Sequence, residues 1–214
     1  MPSNWTLIGA QMVMLHAWAN GVAPTRTTGD LDVLVNVRAL AGATARFSRQ
    51  LLDLGFELDT VTPDGRAHRF SRGDVRIDVV APDNVGRRAD LTTVPPGRTI
   101  EVPGGSQALR RTEHVEVRLG DEVGNLPRPS LLGAILLKAR AVDANPEPER
   151  HLSDLAFLLS LAGDPHRLLE QVDGRERRYL RARRMLLDPN HAAWRSVPDP
   201  ERGLIALSML TEGG

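Results

Sequence analysis

The chain has 214 residues, of which 27 are basic, 27 are acidic and none is cysteine, and 41% of the residues are apolar. This apolar content suits one or two folded domains and excludes a disordered tail, while the lack of cysteine excludes disulfides, thiol catalysis and cysteine-based zinc sites. Zero net charge argues against binding nucleic acid or an anionic membrane through overall charge, although a locally basic surface remains compatible with it. Residues 7–23, the most apolar early stretch, are interrupted by Gln11, His16 and Asn20 and lack a basic flank. We therefore expect neither a signal peptide nor a membrane span, and a cytoplasmic protein.

Strand-like and helical patterns alternate up to residue 127, which predicts a mixed sheet with helices packed on it. In chain order the predicted elements are a strand at 7–9, a helix at 10–20, a strand at 30–37, a helix at 40–54 and strands at 56–61, 67–71, 75–80, 115–119 and 122–126. After Pro127-Arg-Pro129 the patterns are helical only, at 131–142, at 148–161, at 175–187 and in a shorter stretch near the C-terminus. The sequence thus predicts an α+β fold with domains 1–127 and 128–214.

Two aspartates stand at the start of an otherwise apolar strand. Asp30 and Asp32 are two residues apart, so both carboxylates point to one face, roughly 6.6 Å apart along the backbone. Carboxylate oxygens spaced in this way suit a pair of divalent cations that also bind the oxygens of a phosphate group. A turn leading into a strand is the alternative interpretation of the same Gly-Asp-x-Asp run.

A third aspartate, Asp78, interrupts the apolar run Val75-Arg-Ile-Asp-Val-Val80. If this strand lies beside the first, Asp78 sits about 4.8 Å from the Asp30/Asp32 strand and completes a three-carboxylate metal site. The alternative is a strand with one solvated face that carries Arg76 and Asp78. Upstream, Gly9 stands between a strand and a helix, where backbone amides can receive phosphate, or where the chain simply turns.

These motifs, taken in order, resemble the DNA polymerase β-type nucleotidyltransferase fold, and in particular the AbiEii and MenT nucleotidyltransferase toxins. The resemblance rests on Gly9-Ala10, on Arg26-Thr-Thr-Gly-Asp-Leu-Asp-Val33 and on Asp78. In that family Gly-Gly or Gly-Ser opens the helix, and an Arg-x-Ser/Thr-x-Asp-x-Asp segment carries the metal ligands. Ala10 stands where the family has the second glycine or serine. The resemblance implies that Gly9, Ala10, Arg26 and Thr28 contact the nucleotide, and that Asp30, Asp32 and Asp78 hold Mg²⁺ or Mn²⁺.

The helical half contributes Lys138, the only lysine beside 26 arginines. On a helical wheel that starts at Leu131, Lys138 falls on the apolar face, which suggests either a point charge for a triphosphate or a lysine whose stem crosses apolar surface. Asp154 opens the run Asp-Leu-Ala-Phe-Leu-Leu159 in the next helix and should be partly shielded by its apolar neighbours. AbiEii-like proteins carry a lysine and an Asp-Leu-x-x-Leu-Leu helix in this order, so the resemblance assigns Lys138 and Asp154 to the catalytic set. His151 lies beside this motif.

A basic segment follows, with eight arginines against four acidic residues between Arg167 and Arg195. Arg177, Arg181 and Arg184 recur at helical spacing, which suits either a stripe that tracks RNA phosphates or a solvated helix face.

We therefore expect an enzyme that transfers a nucleoside monophosphate from a nucleoside triphosphate to a hydroxyl. The family resemblance implies a toxin that modifies the 3′ end of tRNA and an antitoxin protein as partner, with no membrane partner. The alternatives are transfer to a small molecule such as an aminoglycoside or to a protein side chain, and a catalytically silent binding module.

Overall fold

The computed structural model describes residues 4–144 and 147–212. The strands are β1 Trp5–Ile8, β2 Asp30–Val35, β3 Glu57–Leu58, β4 Arg69–Arg72, β5 Val75–Pro82, β6 Glu101–Val102, β7 Thr112–Leu119 and β8 Glu122–Pro129. The α-helices are α1 Gly9–Ala19, α2 Ala43–Asp53, α3 Gly105–Arg110, α4 Leu131–Ala141, α5 Pro148–Ser160, α6 Pro165–Leu169, α7 Gly174–Arg181 and α8 Pro200–Glu212. Two 3₁₀ turns, Arg184–Leu187 and Ala192–Trp194, lie between α7 and α8. The predicted α+β class, a mixed sheet followed by helices, is confirmed.

A six-stranded sheet has the strand order β1-β2-β5-β4-β3, and β6 pairs with β5. β2 and β5 are parallel, whereas β1 is antiparallel to β2 and β4 is antiparallel to β5. β2 and β5 are therefore neighbours, which is the arrangement expected if Asp78 lies beside Asp30 and Asp32.

One face of this sheet packs against α2. The buried cluster consists of Val33, Val35, Ala43, Phe47, Leu51, Phe56, Phe70 and Val79. Side chains alternate between the two faces of a strand, so the residues between these apolar ones on β2 and β5 belong to the opposite face. The aspartates lie there because the odd-numbered positions of both strands are needed for the core.

The chain divides into two compact units. The first comprises the residues up to Met12 together with Thr28–Pro129, and the second comprises Val13–Thr27 together with the residues from Ser130 onward. The first unit holds the six-stranded sheet and the antiparallel hairpin β7–β8. The second holds the helices from α4 onward and, in addition, residues 13–27, which the sequence pattern had grouped with the strands.

In the second unit, helix α5 is buried along the run from Asp154 to Ser160 and packs against α4 and α8. Ser130 caps α4 by accepting a hydrogen bond from the Gly133 amide at 3.4 Å, as the sequence predicted. Asp173 and Glu176 form a capping box at the start of α7. Within residues 4–144 and 147–212, no helix is long and apolar enough to cross a membrane.

Several predicted boundaries differ from the structure. The predicted strand 56–61 shortens to Glu57–Leu58, and the predicted helix 175–187 ends at Arg181 before a 3₁₀ turn. Helix α3 was not predicted, because it is six residues long and follows the glycine- and proline-rich stretch 95–105. Its first residue, Gly105, packs so closely on Pro82 that an added Cβ would lie 2.8 Å from the Pro82 Cα. The packing of α3 against β5 therefore requires glycine at this position.

Candidate functional site

Asp30, Asp32 and Asp78 lie on one face of the sheet in the first unit. Asp32 and Asp78 are direct register partners on the parallel strands β2 and β5, and Asp30 pairs in register with Arg76. Alternation along each strand places all three aspartates on the face opposite the core. Asp30 is exposed, and Asp32 and Asp78 are half-buried. The structure therefore brings together the three acids that the sequence singled out.

Gly9 explains how Asp32 fits against the start of helix α1. Gly9 has φ +70°, and a Cβ added to it would lie 1.8 Å from the Asp32 Oδ2 and 2.8 Å from its Cγ. The missing side chain thus leaves room for the Asp32 carboxylate beside the backbone where α1 begins. A glycine in this position allows both the left-handed backbone and the close approach.

Two polar contacts order the segment before β2. The Gln11 side chain donates from Nε2 to the Thr28 carbonyl at 2.5 Å, and the Asp30 amide donates to the Thr28 hydroxyl at 3.1 Å. Thr28, predicted to contact the nucleotide, therefore sets the start of the aspartate strand. Ala10 is buried at the start of α1.

Asp78 is paired with Arg69 of the neighbouring strand β4. Arg69 Nε donates to the Asp78 Oδ1 and Nη2 donates to Oδ2, both at 2.8 Å. Sequence reasoning missed this partner, yet the sequence contains the signal. Counting outward from the predicted Arg72-Gly-Asp74 turn pairs residue 72 with 75 and so on, which places Arg69 opposite Asp78, as observed.

The donor set on this face suits a magnesium-type cation that the substrate helps to bind. Mg²⁺ commonly uses one or two carboxylates together with waters and substrate phosphates. Asp30 and Asp32 supply two carboxylates on one face, and Gly9 leaves the Asp32 carboxylate its space. Among the residues that the structure describes, no group of three His, Cys, Asp or Glu side chains could hold a metal ion. Asp30, Asp32 and Asp78 therefore do not form such a group by themselves, and their assignment as metal ligands, with substrate phosphates as further ligands, stays a prediction.

The opposite face of the same sheet is apolar. A cavity of 480 Å³ there is lined by residues that include Leu31, Val33, Phe47 and Ile77. Leu31 and Ile77 alternate with the aspartates along β2 and β5, so this cavity and the carboxylates lie on different faces.

Arg26, Lys138 and Asp154 form a second charged group, within the second unit. The Lys138 Nζ lies 2.7 Å from the Asp154 Oδ2, and both side chains are buried, with 3% and 2% exposed. Arg26 donates from Nε to Oδ1 at 3.3 Å and from Nη2 to Oδ2 at 3.0 Å, and its side chain is 39% exposed. The predicted apolar-face position of Lys138 and the predicted shielding of Asp154 are confirmed. Two cations on one carboxylate leave this cluster with one net positive charge.

The electrostatics of this cluster follow from its burial. Burial disfavours the charged form of Asp154, but the charge of Lys138 and the hydrogen bonds from Arg26 and Lys138 lower its pKa below the usual value. His151, one turn earlier on α5, has a pKa lowered to about 4, first by burial and then by the charge of Lys138. His151 is therefore neutral at pH 7 beside this ion pair.

A cavity of 290 Å³ adjoins the exposed side of this cluster. Its lining includes Arg26, Arg150, Ser153, Asp154 and Ser196. Arg26 is bound to Asp154 through Nε and Nη2 only, among the contacts described for it. Its Nη1 edge is therefore able to donate to a ligand in the cavity.

The basic segment is less uniform than its spacing suggested. Arg181 is exposed but donates from Nε to the Thr211 carbonyl at 2.8 Å, and Arg177 is half-buried. Arg184 is exposed but belongs to the 3₁₀ turn after α7. Arg175 and Arg178 are exposed on α7 itself. The exposed arginines of this segment therefore differ in part from the predicted stripe.

Comparison with known proteins bears on the fold. No protein-family model and no curated protein sequence matches the chain. A crystal structure of an antigenic nucleotidyltransferase-like protein from Paracoccidioides brasiliensis superposes with a TM-score of 0.54 and 14% sequence identity, over 91% of this chain and 85% of that one. This similarity shows a nucleotidyltransferase-like fold.

Proposed function

We propose that the protein is a metal-dependent nucleotidyltransferase that transfers a nucleoside monophosphate from a nucleoside triphosphate to an acceptor hydroxyl. One observation carries this proposal: Asp30 and Asp32 lie on one face of β2, with Gly9 at the start of α1 against Asp32, in a nucleotidyltransferase-like fold. Nucleotidyl transfer depends mostly on positioning and on neutralising phosphate charge, which this arrangement of carboxylates and cations can supply.

Asp30 and Asp32 are the residues that would hold a divalent cation, Mg²⁺ or Mn²⁺. Such a cation would supply positive charge to neutralise the phosphate oxygens. Gly9 and Thr28 maintain the geometry of this strand, since the first leaves room for the Asp32 carboxylate and the second fixes the start of β2.

Arg26 is the exposed cation of the second cluster, and we assign it to phosphate recognition in the adjoining cavity. Asp154 orients its guanidinium through two hydrogen bonds. Lys138 balances the Asp154 charge, so that the cluster as a whole remains positive toward a phosphate. We also propose that Lys138 acts on the triphosphate. Lys138→Ala should lose transfer because it removes the charge. Lys138→Arg should lose transfer because the planar guanidinium cannot replace a point charge in a buried site. Full activity of Lys138→Arg would contradict this role.

We propose RNA, and specifically the 3′ end of tRNA, as the acceptor, and a toxin role neutralised by an antitoxin protein. The exposed arginines Arg175, Arg178 and Arg184 support an RNA acceptor, since arginines bind phosphate through charge-assisted hydrogen bonds. Replacing all three with Gln should weaken RNA binding and reduce its log–log salt slope by about one unit per lost phosphate contact. An unchanged slope would assign this segment to a solvated helix face.

The transfer experiment uses nucleoside triphosphates labelled with ³²P at either the α or the γ position. Purified protein with Mg²⁺ and total tRNA should incorporate the α label and not the γ label, because nucleotidyl transfer releases pyrophosphate. Asp32→Asn should abolish incorporation while folding is unchanged, and Asp121→Asn, in the exposed turn between β7 and β8, serves as the matched control. Incorporation by Asp32→Asn equal to wild type would refute the assignment.

The same assay separates the alternative acceptors. Label on an aminoglycoside or on protein, with none on tRNA, would support nucleotidyl transfer and show that tRNA is not the acceptor. Absence of label on every acceptor, together with nucleotide binding, would favour the silent binding module.

A further inference from the structure

The Asp78 carboxylate forms an ion pair with Arg69, which lies on the neighbouring strand β4 of the same sheet. Both of its oxygens accept hydrogen bonds from Arg69, at 2.8 Å each, in a two-pronged arrangement. The Asp78 side chain is 17% exposed and that of Arg69 is 47% exposed. Arg69 and Asp78 are direct register partners, so the sheet itself holds the two side chains together.

This pair lies in one row with a proposed metal ligand. Asp32, Asp78 and Arg69 are successive register partners across β2, β5 and β4. The bidentate pair takes one lone pair of each Asp78 oxygen, so a cation that approaches Asp78 competes with Arg69 for this carboxylate and is repelled by the guanidinium charge. The Arg69 charge is permanent, since the hydrogen bond to Asp78 and the Asp78 charge raise its pKa still further.

We propose that Arg69 is a built-in cation of this site: it keeps Asp78 from ligating metal, so that the divalent cation binds Asp30 and Asp32 alone. This inference rests on the proposed function and specifies its metal centre. Arg69 supplies a fixed positive charge at the Asp78 carboxylate.

The charges on this face leave it negative without a metal ion. The face carries the carboxylates of Asp30, Asp32 and Asp78 and the guanidinium groups of Arg69 and Arg76. Glu57, in register with Ser71, and Asp59, which accepts a hydrogen bond from the Ser71 hydroxyl, add two carboxylates. These seven groups sum to three negative charges, so the face attracts a divalent cation and Arg69 offsets part of the negative charge at Asp78.

The test measures Mn²⁺ binding to the full chain by electron paramagnetic resonance, without nucleotide. The double variant Arg69→Met/Asp78→Asn removes both members of the pair and leaves the net charge unchanged. It should bind Mn²⁺ with wild-type affinity, because neither residue ligates the metal. Arg69→Met alone frees Asp78 as an additional ligand and should tighten Mn²⁺ binding by about tenfold, which is the scale of one charge-assisted contact.

Arg66→Met is the matched control for the loss of one positive charge. Arg66 lies three residues from Arg69, is similarly exposed and pairs with Asp64 rather than Asp78. Arg66→Met therefore measures how much the loss of one positive charge changes the Mn²⁺ affinity. The tightening of Mn²⁺ binding in Arg69→Met is compared with this value. Far-UV circular dichroism and a thermal melt on each variant show whether it has folded.

Two results would overturn the inference. A double variant that binds Mn²⁺ about tenfold more weakly than wild type would show that Asp78 ligates metal in the native site. An Arg69→Met variant that behaves like Arg66→Met would show that Arg69 does not hold Asp78 away from the metal. Asp32→Asn tests the proposed function separately: Mn²⁺ affinity unchanged in that variant would refute the metal site itself, whatever Arg69 does.

Discussion

Removing Asp154 should destabilise the protein more than removing Lys138, although the two residues form one buried ion pair. Asp154 has two cationic partners, Lys138 at 2.7 Å and Arg26 at 3.0 Å, whereas Asp154 is the acceptor described for the Lys138 ammonium. Removing Asp154 leaves a lysine with 3% of its side chain exposed and its charge uncompensated. Removing Lys138 leaves Asp154 still bound to Arg26 through both oxygens.

The magnitudes follow from burial. Asp154→Asn should lower the free energy of unfolding by about 3–5 kcal/mol, the cost of an unpaired buried charge. Lys138→Met should cost only about 1–2 kcal/mol, because the lost charge-assisted hydrogen bond is partly offset by no longer burying an ammonium. The double variant Lys138→Met/Asp154→Leu should lie within about 1 kcal/mol of wild type, since apolar side chains can replace a buried ion pair. Arg26 is exposed enough to be solvated after this change.

Urea denaturation at pH 7, followed by far-UV circular dichroism, measures these differences, and an unchanged m value would show that the unfolded state is comparable. The expected order of stability is wild type, then the double variant and Lys138→Met, and last Asp154→Asn. If Asp154→Asn were no less stable than Lys138→Met, the reasoning from unequal partners would be wrong. Neither substitution is a test of catalysis, because stability is measured without substrate.

The remaining predictions concern pH and backbone geometry. Because the pKa of His151 is lowered to about 4, the unfolded chain takes up a proton near pH 6.5 and the folded chain does not; the free energy of unfolding should therefore fall between pH 6.5 and 4, by on the order of 1–2 kcal/mol after solvent screening. His151→Gln should flatten this slope, and an equal slope in both proteins would rule out His151 as its source. Asp154 has a lowered pKa as well, so its ion pair stabilises the fold above the unfolded value near pH 4 and loses its contribution below that pH. Gly9→Ala should destabilise the protein by more than the roughly 1–3 kcal/mol of a left-handed residue and should weaken Mn²⁺ binding, since its Cβ meets the Asp32 carboxylate. Gly65→Ala is the control, because Gly65 has φ +79° with open space around it, and equal losses at the two positions would contradict the steric argument.

Much of the candidate site could be predicted from local sequence alone. The two-residue spacing of Asp30 and Asp32 places both on one face of any strand, since alternation is a property of the extended backbone. The acid within the apolar run at Asp78 and the lysine on the apolar face of α4 are departures from a repeating pattern, and such departures are visible without a structure. Ser130 as the cap of α4 follows from the same local rules.

The partners of these residues were decided by tertiary structure. The Arg26–Asp154 contact joins residues 128 positions apart, and no local pattern specifies which of 26 arginines a buried carboxylate will bind. The assignment of residues 13–27 to the helical unit depends in the same way on long-range packing. Arg69 is an intermediate case. Its pairing with Asp78 can be counted from the hairpin turn, but only the pairing of β5 with β2 places this ion pair beside Asp32.

Sequence thus determined the chemistry that each element presents, because side-chain direction in a strand or helix depends on a few neighbouring residues. Tertiary structure decided which charges meet and which become buried. Asp154 accepts hydrogen bonds from Arg26 and Lys138 because segments distant in the sequence pack against it. Burial and ion pairing depend on the packing of the whole chain, and an aspartate in isolation carries no information about whether a cation of the protein or a metal ion will neutralise it.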